Sequence, residues 1–392
     1  MWPLRVITDS KIAYAIMGGL LVLVALMSPL AKGSVWLYGY ALTILSIGVL
    51  QFSFLGSSEH FWLSTTTYLI IPLICGRNVI TSEQFDRVLL GLSVIAFPNV
   101  LGLLAQFAGY QSAFLTEEFT MTSEEVHTRY TSLVGGALAL GLMSAISGIS
   151  SAYWLIIRQQ HRIYCGLVFM ASVMCLYFSY SRRAYVFFAI GLLIIIWRRA
   201  PTYTRVNLGM AGLFMLLAIG TLVAIALGDV QGILARLASI GDVASETEGL
   251  RVIKWLEAVD TMLMHPILGV GFGASGTIGR EPSDFWDIRS AISAESYYLQ
   301  MGMEGGLLTE IVVVLVVGHT AMASLTKLAH RPQLLLTTSL LVCFAIESFP
   351  GTSLISPFAA TIYWLAFGIN RAFLRVGDQV ILRPSSTTVH TV

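Results

Sequence analysis

Charged side chains are scarce in this chain, so the places where they gather are the first candidates for chemistry. The longest polar stretch runs from Glu246 to Thr309 and carries Arg251, Trp255, Arg280, Asp284, Asp287, Arg289 and Glu295. A second cluster is Ser181-Arg182-Arg183, wedged between two apolar runs. An arginine near membrane depth is expensive unless it is paired or bound to an anion. Its planar fork suits bidentate contact with phosphate. Arg182 or Arg183 converging with Arg251, Arg280 or Arg289 would therefore hold a phosphorylated lipid. The alternative is snorkelling, with each guanidinium reaching interfacial phosphate along an apolar stem. Metal chemistry has no support in the spacing: there is no DxD pair, and the histidines at 60, 127, 161, 265, 319, 330 and 390 are scattered. Gly269, Gly271 and Gly273 lack the flanking strand and helix of a nucleotide-binding loop, so they read as a turn.

The elements that must position these groups are membrane helices. Hydrophobic residues make up 56% of the chain and charged residues 11%, against roughly 25% charged in soluble domains. Apolar runs of about 20 residues recur along the chain, and only helices satisfy their backbone in hydrocarbon. The expected fold is a single all-α transmembrane bundle over 1–392, of about 11 to 12 spans. Spans are read at 12–30, 34–55, 60–75, 88–108, 130–157, 162–180, 184–197, 207–228, 296–318, 333–347 and 354–370. The first is too long, and lacks the cleavage site, for a removed signal peptide. The large loop, 229–295, contains an amphipathic helix from Thr247 to Met264, ended by His265-Pro266. A new apolar helix begins at Ala294-Glu295-Ser296. Trp255 and Phe272 read as interfacial anchors, and Gly302, Gly305 and Gly306 as sites of close helix packing. Cys75, Cys165, Cys175 and Cys343 lie inside apolar runs and read as packing residues. Nothing in the net charge of +1 or its pattern points to nucleic acid.

Basic residues favour cytoplasmic loops. Arg77 with Arg87, Arg158 with Arg162, Arg198 with Arg199 and Arg205, Lys327 with Arg331, and Arg371 with Arg375 can all share that side. The loop Gly109 to Thr128 and the stretch Gly228 to Glu295 then lie outside. Arg182 and Arg183 fall on the outer side against the rule, and Arg5 and Lys11 also fit poorly. His127 and Arg129, at an outer helix start, are within reach of the same region.

Three stretches carry a resemblance. Phe178-Ser179-Tyr180-Ser181-Arg182-Arg183-Ala184 is similar to a Ser-Arg-small motif at a span start. Gly249-Leu250-Arg251-Val252-Ile253-Lys254-Trp255 with Ala258, then His265-Pro266-Ile267-Leu268-Gly269-Val270-Gly271-Phe272-Gly273, resembles an Arg-x3-Trp-x2-Ala run and a Pro-x2-Gly-x-Gly turn. Glu295-Ser296-Tyr297-Tyr298-Leu299-Gln300, with Glu304 and Gly306, resembles a His-Asn/Ser-x-Tyr-Leu-Gln signature. In this order they resemble the bacterial O-antigen ligase and polysaccharide polymerase superfamily of integral membrane glycosyltransferases.

The resemblance implies a donor glycan on undecaprenyl diphosphate, an acceptor glycan and a site at the periplasmic face of the inner membrane. It implies Arg251 and Glu295 as catalytic residues. It also implies Arg182, Arg183, Trp255 and Tyr298, within the motifs, as contacts to diphosphate or glycan, and Arg280, Arg289 and Arg129 join them as cations placed on the same side by the charge pattern. Ligases carry histidine where this chain has Glu295. A carboxylate there can still take the acceptor proton, and the substitution favours polymerase over ligase. The alternative is that Glu295 caps a helix, favoured by the dipole. Transfer needs charge neutralisation, in-line placement and proton removal. Arginines suffice for the first, so the expected reaction is metal-independent, free of cofactors, and inverting. A flippase or other transporter is the rival class, although the internal repeats common in transporters are absent. A scaffolding protein would have no use for an arginine-rich loop. A chain-length regulator and a flippase are the partners the polymerase reading implies.

Overall fold

In hydrocarbon every backbone N–H and C=O must be satisfied within the chain, and the apolar runs accordingly fold as helices. The computed structural model describes residues 35–55, 59–77, 81–110, 117–121, 126–134, 136–199, 246–274, 294–328 and 331–381. The helices are α1 (Val35–Leu55), α2 (Glu59–Cys75), α3 (Ser82–Leu92), α4 (Ala96–Phe107), α5 (Ala137–Tyr153), α6 (Arg162–Phe178), α7 (Arg182–Arg199), α8 (Glu246–Met264), α9 (Tyr297–Leu328), α10 (Leu335–Glu347) and α11 (Pro357–Ile381). A single 3-10 turn, Ser93–Ile95, joins α3 to α4, giving one apolar rod from Ser82 to Phe107. Among the described residues, four helical stretches are long and apolar enough to cross a membrane: Val35–Ser53, Ser82–Phe107, Ala137–Arg158 and Tyr297–Leu328. The chain is an all-α, multi-pass membrane protein.

Helices α5, α6, α7 and α10 pack together at the centre, with α9 and α11 against α10. The small-residue run Ser144 to Ala152 makes α5 almost wholly buried. Such residues let helix backbones approach closely where no hydrophobic effect drives association. All four cysteines are buried and unpaired. One departure from the helical pattern is a two-stranded antiparallel hairpin, β1 (Glu117–Met121) and β2 (Val126–Tyr130), so His127 and Arg129 lie on a strand and not at the helix start expected there. It displaces the start of the fifth expected span from 130 to Ala137.

Successive helices run end to end, so the bundle has two distinct ends. At one, Ser82 donates to the Gln333 carbonyl at 2.6 Å, and Arg158 pairs with Asp86 at 3.2 Å. The basic groups around Arg77, Arg87, Arg158, Arg162, Lys327 and Arg331 lie there, as the charge pattern required. At the other end Phe107, Tyr130 and Phe178 form an edge-to-face cluster, with Phe107 4.6 Å from Phe178. The starts of α7 and α9 lie at this second end. The spans read at 12–30 and 207–228, with Arg5 and Lys11, lie outside the described residues.

Candidate functional site

Two helices begin at the second end in the same way. Before α7, Tyr180 has a left-handed backbone (φ 47°), and the Ser181 hydroxyl accepts from the Ala184 N–H at 3.4 Å. Before α9, Glu295 is left-handed (φ 48°), and the Ser296 hydroxyl accepts from the Leu299 N–H at 3.5 Å. Serine caps the first turn in each. Left-handed conformation at a non-glycine residue costs about 1 kcal/mol or more and persists where surroundings impose it. The loop after α10 does so: the Tyr297 N–H donates to the carbonyls of Ser348 (2.9 Å) and Gly351 (2.7 Å). Arg183 Nη1 donates to the Pro350 carbonyl of the same loop at 3.1 Å. Glu347, at the end of α10, is attracted by Arg183 and accepts from the Ser353 hydroxyl at 2.7 Å.

Amphipathic α8 lies across this rim. Its buried side, Ala258 and Met262, seats against α9, where Met262 meets Gly302. One turn earlier on that side stand Lys254 and Trp255. Lys254 Nζ pairs with Glu295 Oε1 at 2.6 Å, with side chains 42% and 31% exposed. Trp255 meets the exposed Phe349 ring edge-on at 5.6 Å, and its indole N–H has no acceptor among the described residues. Contrary to the expectation from sequence, Glu295 does not begin a helix: α9 starts two residues later, Ser296 is the cap, and the carboxylate reaches α8.

Beneath the rim, the turn after α8 is locked into a break in α9. Gly306 (φ 80°, ψ 172°) interrupts the helix. The freed carbonyls of Met303 and Glu304 accept from Val270 N–H (2.9 Å) and Gly271 N–H (3.1 Å), and Leu307 N–H donates to the Pro266 carbonyl (2.9 Å). Side chains complete the joint. Glu304 is fully buried and accepts from Gly273 N–H (3.0 Å), the Tyr68 hydroxyl (3.1 Å) and Gln300 Nε2 (2.9 Å). Gln51 of α1 donates to the carbonyls of Leu268 (2.5 Å) and Glu304 (2.8 Å) and accepts from Phe272 N–H (3.1 Å). A side chain at Gly269 (φ 63°) would sit 2.5 Å from the Glu304 carbonyl oxygen, which is why glycine stands there. Gly306 acts through this break rather than through helix packing alone.

Residues 166–314 match a family model described as O-antigen ligase. Over that stretch the chain is similar to the O-antigen ligases. The match supports the resemblance to the O-antigen ligase and polysaccharide polymerase superfamily of membrane glycosyltransferases. A search of curated proteins finds no match for the chain.

The stretch similar to the O-antigen ligases contains all three motif segments, whereas the Glu347 to Gly351 loop lies beyond it. The structure brings Arg183, Lys254, Trp255, Glu295 and the Arg182 backbone to one end of the bundle. Arg251 stands on α8 one turn before Lys254, and Arg129 on β2 opposite Glu118. Tyr298 is committed to packing, its hydroxyl donating to the Ala345 carbonyl at 2.8 Å. Phe272 is no interfacial anchor: it is 2% exposed and edge-on to Tyr68 at 5.6 Å inside the bundle. Arg280 and Arg289 lie outside the described residues. Sequence reading gave no role to Lys254 or Glu347. Lys254 was detectable, since it follows Arg251 by three and so shares its helix face.

Proposed function

We propose that the chain polymerises undecaprenyl-diphosphate-linked repeat units into a cell-surface polysaccharide. Its site faces the periplasm, and the basic end of the bundle faces the cytoplasm. The observation that carries the reading is the meeting of Glu295 with the α8 face that bears Lys254 and Trp255, one turn from Arg251, beside the Arg182-Arg183 helix start. The acceptor hydroxyl oxygen attacks the donor's anomeric carbon and forms the new glycosidic bond. The bond from that carbon to the diphosphate oxygen breaks and its electron pair leaves on the diphosphate. The hydroxyl proton passes to the Glu295 carboxylate. Such a single displacement inverts the anomeric centre. Arg251, with Arg182, Arg183, Arg280, Arg289 and Arg129 as further contacts, balances charge on the leaving diphosphate. The amino ends of α7 and α9 add favourable partial charge at the same rim. Trp255, edge-on to Phe349, offers an apolar wall and an indole N–H to a sugar.

The ligase reading draws on the description of the matched family, and the two differ in the acceptor. Purified chain in proteoliposomes, given lipid-linked repeat units, should lengthen them in the presence of EDTA. Transfer only to a lipid A core acceptor would replace polymerase by ligase. The transporter reading draws on the break in α9. There, however, the turn from Pro266 to Gly273 takes up the freed groups, which makes the break a joint between protein segments.

A further inference from the structure

Lys254 has no part in the transfer step set out above, yet its ammonium holds the oxygen of the proposed base. The pair is short, 2.6 Å, but open, with both side chains about a third or more exposed. Open ion pairs contribute little stability, so exchanging one partner for another is cheap. The two partners also differ in freedom. Glu295 is fixed by its left-handed backbone and by the double hydrogen bond of the next residue but one to Ser348 and Gly351. Lys254 is a compact charge on a flexible four-carbon stem. It stands one turn from Arg251, and one turn before Ala258, which with Met262 seats the helix on α9.

We propose that Lys254 is a ligand for the diphosphate of a lipid-linked donor and, through Glu295, a gate on the base. In the resting protein the ammonium occupies Glu295 Oε1. A diphosphate arriving at the rim carries more negative charge than one carboxylate and draws the ammonium away. The carboxylate is then available to an acceptor hydroxyl only when donor is bound, and water is not activated in its absence. Lys254 thus sits in competition between donor and base. This rests on the lipid-linked glycan reading.

Competition gives the gate a signature that a merely structural pair lacks. The full chain in detergent is titrated with geranyl diphosphate, a soluble prenyl diphosphate, and Tm is followed for each variant. Lys254→Gln should weaken binding by about tenfold or more, the loss of one charge-assisted contact. Lys254→Arg should retain most of it. Glu295→Gln should bind more tightly than wild type, because the ammonium no longer has a rival partner. The double variant should match Lys254→Gln. Glu295→Gln binding equal to or weaker than wild type, or Lys254→Gln binding like wild type, would overturn the gate while leaving the transfer reading in place. Absence of binding by a wild-type protein that also transfers no glycan would overturn both.

Discussion

Glu295 and Glu304 lie on one short segment of chain and show two ways a carboxylate is used at this end of the bundle. Glu304 is fully buried and takes three donors, a backbone N–H, a phenol and an amide, with Gln51 closing the same joint from α1. Glu295 is a third exposed, sits on a strained backbone and pairs with the flexible Lys254. A buried carboxylate held by several donors is rigid, whereas an open pair exchanges partners. The first belongs to the scaffold that carries α8. The second belongs to the proposed chemistry.

The comparison breaks most readily at Glu304. Glu304→Ala leaves Gly273 N–H, the Tyr68 hydroxyl and the Gln300 amide without their acceptor, at a cost of about 1–3 kcal/mol for each buried group left unpaired. The expected outcome is a large fall in Tm and loss of the monodisperse species on size exclusion, with Glu295→Ala near wild type in both. Equal losses would erase the distinction.

Arg251 sharpens the other side. Arg251→Ala should leave protein level and Tm unchanged but raise the transfer barrier by about 2–4 kcal/mol, since the proposed contact to the diphosphate strengthens as the leaving group forms. Arg251→Lys should fail too, because a point charge does not reproduce the bidentate fork. Full polymer length and yield in the Arg251→Ala strain would remove Arg251 from the site.

Gly269 tests how tightly the scaffold holds α8. At φ 63° with the Glu304 backbone 2.5 Å from any Cβ, Gly269→Ala must shift the turn or the break. A destabilisation of about 1–3 kcal/mol is expected by denaturation, with transfer falling because α8 moves relative to Glu295. An unchanged Tm would show the joint to be loose.

Much of this was legible in the sequence. The amphipathic helix read at Thr247 to Met264 is found at Glu246–Met264, ended by His265-Pro266, because its apolar period and its stop are local signals. The basic groups were sorted to one end by charge alone. What escaped depends on contacts between distant segments. The Glu304 joint links Gln51 and Tyr68 to the glycine turn and α9, and no local pattern announces it. Phe272 sits in a polar-looking loop, yet that joint carries it into the core. Glu347 follows a long apolar run, and only the folded chain shows Arg183 beside it. Glu295 looked like a helix start because Ala294-Glu295-Ser296 opens an apolar run; the left-handed turn that swings it to Lys254 is imposed by the loop after α10.

The most direct test of Glu295 as the base is Glu295→Gln in proteoliposomes supplied with lipid-linked repeat units. Glutamine keeps the size and cannot take the proton. The account predicts a protein with wild-type Tm that loses transfer by about 10²–10⁴-fold. A well-folded Glu295→Gln protein that elongates chains at near the wild-type rate would contradict it.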